Sequence, residues 1–472
     1  MNKIETYLAD NGYNTCRKSI DSYIDEWLEW YQGDVEKFHK YNIYNGINIV
    51  GRKRKTLNMA KKVCEDWANL ILNEKVSIKT NSNFDSVLTE IFERNNFNVR
   101  ANQLIELSFA LGTGAFVEYL GENKEVVIDY IRAEMIYPLS WDNGDITECA
   151  FGSYRVIDGK EFIYLQIHKL ENDVYVIENK LIDSNSGKEV DLNDDTIPIV
   201  NTGSKSPLFQ IITPNIVNNI DLDNPLGVSC YANSLDVLKG IDLIYDSYIN
   251  EYSLGKKRII VPISMAKIQM QEEGIVTPVF DTNDTEFYAL PGDREENNQI
   301  TEINMTIRAA DHEAGLQRNL DLLSTKVGLG NNRYQFNADG VKTATEVISE
   351  KSDLFQNLKK HEIVIKATLE GLVRSVAFLY GNNENLNISI DFDDSIIEDT
   401  NATIDRNIKL ISSGLRSKIT AIMEINKCSE EEAQKELEKI AKESQVNGDN
   451  IDWANMDFDN KNEDEEKQGD EE

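Results

Sequence analysis

The chain is poor in the residues that build metal and redox centres. Its 472 residues include five cysteines and four histidines. Cys16, Cys64, Cys149, Cys230 and Cys428 lie far apart, with no CxxC spacing and no secretory segment, which excludes a disulfide framework or zinc ribbon and points to reduced thiols. His39, His168, His312 and His361 are scattered, without HExxH spacing, and no G-x-S-x-G elbow is present. No run of 18 apolar residues exists, so a membrane-spanning helix is not expected. Positive charge is scarce as well: 49 Lys and Arg stand against 82 Asp and Glu, a formal charge of −33. A protein that grips nucleic acid needs clustered cations to displace phosphate counterions. Here only Arg52, Lys53, Arg54 and Lys55 with Lys61 and Lys62, and Lys256, Lys257 and Arg258, form clusters, read as solvated faces or strand edges.

What is present is apolar periodicity. A hydrophobic content of 40% supports a sizeable core, and the length implies two to four structural regions. Residues 18–40 read as a helix carrying Trp27 and Trp30 as core aromatics; Leu57, Ala60, Cys64, Trp67, Ala68 and Ile71 stripe a second. Residues 84–97 and 99–110 are further helices, and Gly112 and Gly114 in LGTGAFVEYL turn helix into strand. Residues 115–200 alternate apolar and polar side chains around turns at 142–145, 158–159 and 184–187, the pattern of an antiparallel sheet. From Asn224 and Pro225 a helix with Tyr231, Leu235, Leu238, Tyr245, Ile249 and Tyr252 on one face is expected to run to Gly255. Residues 256–303, with Pro262, Pro278 and Pro291, read as a short-stranded insert, and a helix from Ile303 follows, running to Gly328.

The next stretch, GLGNNRYQFNADGVKTATE, is the most informative. Gly328 and Gly330 can take the positive φ that stops a helix, and Asn331, Asn332 and Asn337 keep the chain off helix. Thr343 and Glu346 then form a capping box ahead of Leu354, Leu358, Ile365, Leu369, Leu372 and Val376 at three-to-four spacing. A helix of residues 344–380 would span about 55 Å. A strand over residues 386–392 and three short helices (401–412, 418–427 and 430–443) complete the pattern, before an acidic tail of residues 443–472 with twelve acidic side chains against two lysines, expected to be disordered. Gly203-Ser204-Lys205-Ser206 lacks the glycine and GK pair of a phosphate loop, and Asp183, Asn185 and Gly187 lack the Glu of a calcium loop; both read as turns. Neither cofactor nor metal is expected.

In this order, NMAKKVCEDWANLILNEKVSI, LGTGAFVEY, NPLGVSCYANSLDVLKGIDLIYDSY and NLDLLSTKVGLGNNRYQFNADGVKTATEVISE resemble the portal proteins of tailed bacteriophages of the siphophage type, over residues 20–443. The resemblance implies an α+β, portal-like fold: an N-terminal wing (1–225), stem helices (226–255 and 301–327) around a clip (256–300), a tunnel loop (328–343), a long wing helix and strand (344–400) and a crown (401–442). It implies a non-enzymatic homo-oligomeric ring, commonly of twelve, at one capsid vertex of the virion after assembly in host cytoplasm. Expected partners are double-stranded DNA in the channel without sequence preference, the terminase large subunit, scaffold and major capsid proteins, and a head-completion adaptor; no membrane is involved.

By that resemblance Asn331, Asn332, Arg333, Tyr334, Gln335, Phe336 and Asn337 line the channel, with Gly328, Gly330 and Gly340 as hinges. For Tyr334 and Phe336, contact with a duplex and packing onto a neighbour both stay open. The competing readings are a metal-dependent nuclease using Asp391, Asp393 and Glu398, and a scaffold or adaptor without a ring. Truncation at Lys442 is expected to leave the oligomer intact, checked by mass photometry, because the tail has too little apolar surface to pack.

Overall fold

The computed structural model describes residues 3–446 except 45, 74–75, 81–83, 122, 193–195, 256–257, 263–268, 271–275, 278–286, 291–300, 336–343, 383–385, 393–399 and 427–429. The capping residues Thr343 and Ser429, and the acidic tail beyond Val446, thus lie outside the described residues. In chain order the elements are α1 (Lys3–Asp10), α2 (Asp21–Gln32), α3 (Glu36–His39), β1 (Lys40–Tyr44), β2 (Ile49–Lys53), α4 (Met59–Ile71), β3 (Ser77–Thr80), α5 (Asp85–Arg94), α6 (Phe97–Leu111), β4 (Gly114–Leu120) and β5 (Val126–Arg132). Next come β6 (Ile136–Asp142), β7 (Asp145–Ile157), β8 (Lys160–Glu171), β9 (Val174–Asp183), β10 (Glu189–Val190), β11 (Ile199–Asn201), β12 (Phe209–Ile212) and α7 (Leu235–Leu254). The insert holds β13 (Arg258–Pro262), β14 (Gln269–Met270), β15 (Val276–Thr277), β16 (Phe287–Leu290) and β17 (Thr301–Ile303). Then follow α8 (Ala309–Lys326), α9 (Ala344–Tyr380), β18 (Ile388–Asp391), α10 (Thr400–Ser412), α11 (Lys418–Asn426) and α12 (Glu430–Val446). Two compact units result: Met1–Gly340 with Glu350–Asp393, and Val341–Ser349 with Asp394–Glu472.

In the larger unit, β6 to β10 form an antiparallel meander with β11 added to β9, and its hairpins use the positive-φ pairs Asn143-Gly144, Asp158-Gly159 and Asn172-Asp173. The single sheet expected over residues 115–200 is in fact two: β4 and β5 leave the meander and pair with each other, and β4 also pairs with β12. The chain over residues 18–40 is likewise two helices. Gly33 at φ 71 takes the carbonyls of Glu29 and Trp30 and ends α2, whose Trp27 and Trp30 are buried.

The helix expected from Pro225 begins ten residues later, at Leu235. The intervening backbone is committed elsewhere: Gly227 N donates to Thr113 Oγ1 (3.0 Å) and Cys230 N to the Phe109 carbonyl (2.9 Å). Gly112 and Gly227 meet backbone to backbone; a Cβ on Gly112 would lie 2.5 Å from the Gly227 oxygen, so neither tolerates a side chain. The helix expected from Ile303 also starts late, at Ala309, because residues 301–303 pair with β13 and Glu251 of α7 accepts from Arg308 N at 2.9 Å and Arg308 Nε at 2.7 Å. Those donors hold the Glu251 carboxyl down to about 2. In the insert β13 lies between β16, parallel, and β17, antiparallel.

Helix α9 buries the expected stripe, with Leu358, Ile365, Leu369, Leu372 and Val376 all nearly inaccessible. It crosses β12, where Thr368 Oγ1 donates to the Ile211 carbonyl (3.0 Å) and Gln210 Nε2 to Ser375 Oγ (3.2 Å). β18 pairs with β3. In the smaller unit Gly414 at φ 71 stops α10, and Glu424 of α11 receives Arg406, Arg416 and Asn407.

Two buried histidines make the larger unit acid-sensitive. His168 of β8 is fully buried against the ring edges of Phe151 and Phe209, neither nitrogen has a partner among the described residues, and burial pulls it down to about 3. His361 of α9 falls to about 4, through burial and then Lys360. Both sit below the unfolded value of about 6.5. Their contribution is therefore complete above that pH and is lost as pH falls toward 4, by about 2 kcal/mol each at pH 5. Thermal melts of the wild type are expected to fall between pH 7 and 5, and His168→Phe to fall less; equal drops would show that His168 is not the cause.

Candidate functional site

The loop after α8 is where the sequence places the working residues, and its first half is built onto α4. Ser324 and Thr325 accept from Leu329 N (2.9 Å) and Gly328 N (3.2 Å), a helix stop that requires the left-handed turn of Gly328 at φ 83. Trp67 Nε1 donates to the Val327 carbonyl (3.2 Å) and Asn357 Nδ2 of α9 to that of Gly328 (3.1 Å), so the exit point is held from two sides. Trp67 is itself locked by edge contacts of its ring with His361 and by Phe109. His361 Nδ1 accepts from Asn215 N at 3.0 Å.

Immediately before Trp67 on α4, Asp66 is 6% exposed and collects three donors: Lys62 Nζ at 2.8 Å, Tyr334 Oη at 2.9 Å and Arg333 Nη2 at 3.5 Å. Gln317 Nε2 of α8 donates to the Tyr334 carbonyl (2.8 Å), and Thr325 Oγ1 to Asn331 Oδ1 (2.7 Å). Burial, and then the Asp66 charge, push the Tyr334 phenol far above its ordinary range, so it stays a donor. Tyr334 is thereby packed within its own subunit.

The named residues divide accordingly. Gly328, Gly330 and Asn332 have positive φ, and Gly330 is buried. Asn331, Asn332, Arg333 and Gln335 are exposed beside Tyr334. Phe336, Asn337 and Gly340 lie outside the described residues, as do Asp393 and Glu398 of the nuclease reading, while Asp391 ends β18 opposite Ser77. Among the described residues no group of three His, Cys, Asp or Glu is placed to hold a metal ion, and no helix is long and apolar enough to cross a membrane.

Four of the clustered cations have partners: Lys53 on Asp34 (3.0 Å), Lys61 on Glu106 (3.0 Å), Lys62 on Asp66, and Arg54 over the rings of Phe38 and Tyr41. Asp183 accepts from Asn185 N and Ser186 N, a side-chain-capped turn. Asp66 was not singled out from the sequence. Its signal is positional: an acid three residues after Val63 and next to Trp67, on the apolar face of an amphipathic helix, needs a donor.

The model for the family "Phage portal protein, SPP1 Gp6-like" matches residues 12–448, and the chain belongs to that family. Its function is that of a portal protein, the channel at a capsid vertex for DNA packaging, ejection and head-tail joining. The chain is also similar to a solved structure, "Neck of native GTA particle computed with C12 symmetry", with 10% identity, a TM-score of 0.37, and coverage of 78% of this chain and 88% of that one. No curated protein matches.

Asp66→Ala leaves the Tyr334 hydroxyl and Arg333 without their acceptor. Losing a charged hydrogen bond costs about 1.5–3 kcal/mol, a tenfold or greater rise in local opening. Tryptic cleavage after Arg333, followed by peptide mass spectrometry, is expected to accelerate about tenfold with the oligomer unchanged; an unchanged rate would mean that Asp66 does not tether the loop.

Proposed function

We propose that residues 328–343 line the portal channel as a tunnel loop tethered at Asp66 and hinged at Gly328, Gly330 and Gly340. The observation that carries this reading is the asymmetry of the described half: Tyr334 is tied back to α4, while Asn331, Asn332 and Gln335 are exposed. Neutral amides offer a duplex polar contact without the salt-dependent grip of free cations, and the one arginine there already faces Asp66. Phe336 supplies an apolar face for the same purpose. The ring comprises twelve subunits, α7 and α8 forming its stem and residues 256–300 the clip on which the terminase large subunit docks. The wing meets scaffold and major capsid proteins, a head-completion adaptor joins below, and assembly occurs in host cytoplasm.

Deletion of residues 331–339 is expected to preserve subunit folding and ring formation, while reducing the DNA packaged or retained. Wild-type packaging and retention by that deletion would refute the loop assignment. Phe336→Ala and Tyr334→Ala separate the roles: rings that form normally yet fill poorly indicate DNA contact, and rings that fall apart indicate packing between subunits.

A further inference from the structure

Cys64 of α4 and Cys230 of the segment preceding α7 are 166 residues apart in sequence, yet their sulfurs stand 3.7 Å apart in the core. Both are free thiols; Cys64 is inaccessible and Cys230 is 6% exposed. Cys16 and Cys149 are also free thiols, and Cys149 Sγ faces the Ala150 carbonyl. We propose that Cys64 and Cys230 are an oxidation site, a latent disulfide that hydroperoxides close once the protein has left reducing conditions. A disulfide bond is about 2.05 Å long, so the sulfurs need approach by less than 2 Å, a distance within reach of side-chain rotation.

The chemistry balances with one hydroperoxide. The more accessible Cys230, as thiolate, attacks the peroxide, taking an oxygen to become a sulfenic acid and releasing an alcohol, or water from hydrogen peroxide itself. Cys64 then attacks the sulfenic sulfur, the S–O bond breaks, and the departing hydroxide leaves as water with the proton lost from the thiol. Two thiols lose two electrons and the peroxide is reduced. Burial pushes the Cys64 thiol well up, so thiolate is scarce and the step is slow. That suits a protein that must fold and assemble reduced and then persist in a particle outside the cell, where no thiol pool reverses the bond.

The link would join two elements that the fold already brings together. Cys230 N is held by Phe109 O, and its neighbour Tyr231 donates to the Trp27 carbonyl at 2.7 Å. Cys64 lies within one turn of Asp66 and Trp67. Oxidation would therefore stiffen the platform beneath the loop without displacing it, and raise the melting temperature by restricting the unfolded chain.

The purified full-length oligomer, treated with hydrogen peroxide, denatured, alkylated and digested, is expected to yield a peptide pair joined through Cys64 and Cys230, two hydrogens lighter than the separate peptides and released by a reductant. Cys149 should remain alkylatable. Oxidised wild type should melt higher than reduced, with no such shift in Cys64→Ser. The yield of the linked pair in the wild type decides the matter even where that variant fails to fold. Recovery of both cysteines as free thiols or as sulfinic acids, under conditions that oxidise Cys16, overturns the proposal. So does a link that forms only after the protein is unfolded.

Discussion

The larger unit depends on the register of one helical turn, Asp66 and Trp67 of α4. Adjacent residues on a helix point about 100° apart. Here one enters the core against Phe109 and His361, and the other meets the returning loop at Tyr334. The indole nitrogen also caps the exit of α8 at Val327. A single-residue slip would put a carboxylate among aromatic rings and leave a phenol without an acceptor. The cost of an unpaired buried charge, several kcal/mol, fixes the register more sharply than apolar burial, which tolerates rearrangement.

A second constraint fixes α7. Asp242 is buried and accepts from His39 Nε2 (3.0 Å), Thr56 Oγ1 (2.9 Å) and Leu57 N (2.7 Å), while Asp246, one turn on, accepts from Lys55 N (2.9 Å). Val35 N occupies His39 Nδ1, which sets the ring to donate from Nε2. The segment between α3 and α4 is thereby laced to the middle of α7. Near its C-terminal end, Glu251 holds Arg308 and sets where α8 begins. The pairing of α7 with α8 is thus positioned by carboxylates as much as by the leucines between them.

The long helices were legible because an apolar stripe at three-to-four spacing has one reading: α4, α6, α9 and the late part of α7 fall where periodicity puts them. The glycine stop at Gly328 was legible for the same local reason. What failed was decided at long range. Pro225 looks like a helix start, but Gly227 is claimed by Thr113 and Gly112, more than a hundred residues earlier. Alternation marked β4 and β5 as strands yet could not assign their sheet, because β12, their third member, arrives some eighty residues later. The α1 helix and the β1–β2 hairpin carry weak patterns and were not foreseen. In the loop, composition announced flexibility, whereas the contacts of Tyr334 depend on an acid on a distant helix.

The charge pattern acquires a physical sense from these pairings. A channel protein must let a polyanion pass, and each unpaired lysine on its path would hold a phosphate by releasing a counterion. Lys53, Lys61, Lys62 and Arg333 each have a carboxylate within 4 Å, on Asp34, Glu106 and Asp66. Pairing lowers the attraction of each of these cations for a phosphate, and the excess of acids over bases adds to the repulsion. Asp66 joins the two requirements, since the carboxylate that tethers Tyr334 also faces the only arginine in the described half of the loop. Moving that loop means breaking an ion pair and a phenol hydrogen bond together, so its described half is held at two points on one carboxylate.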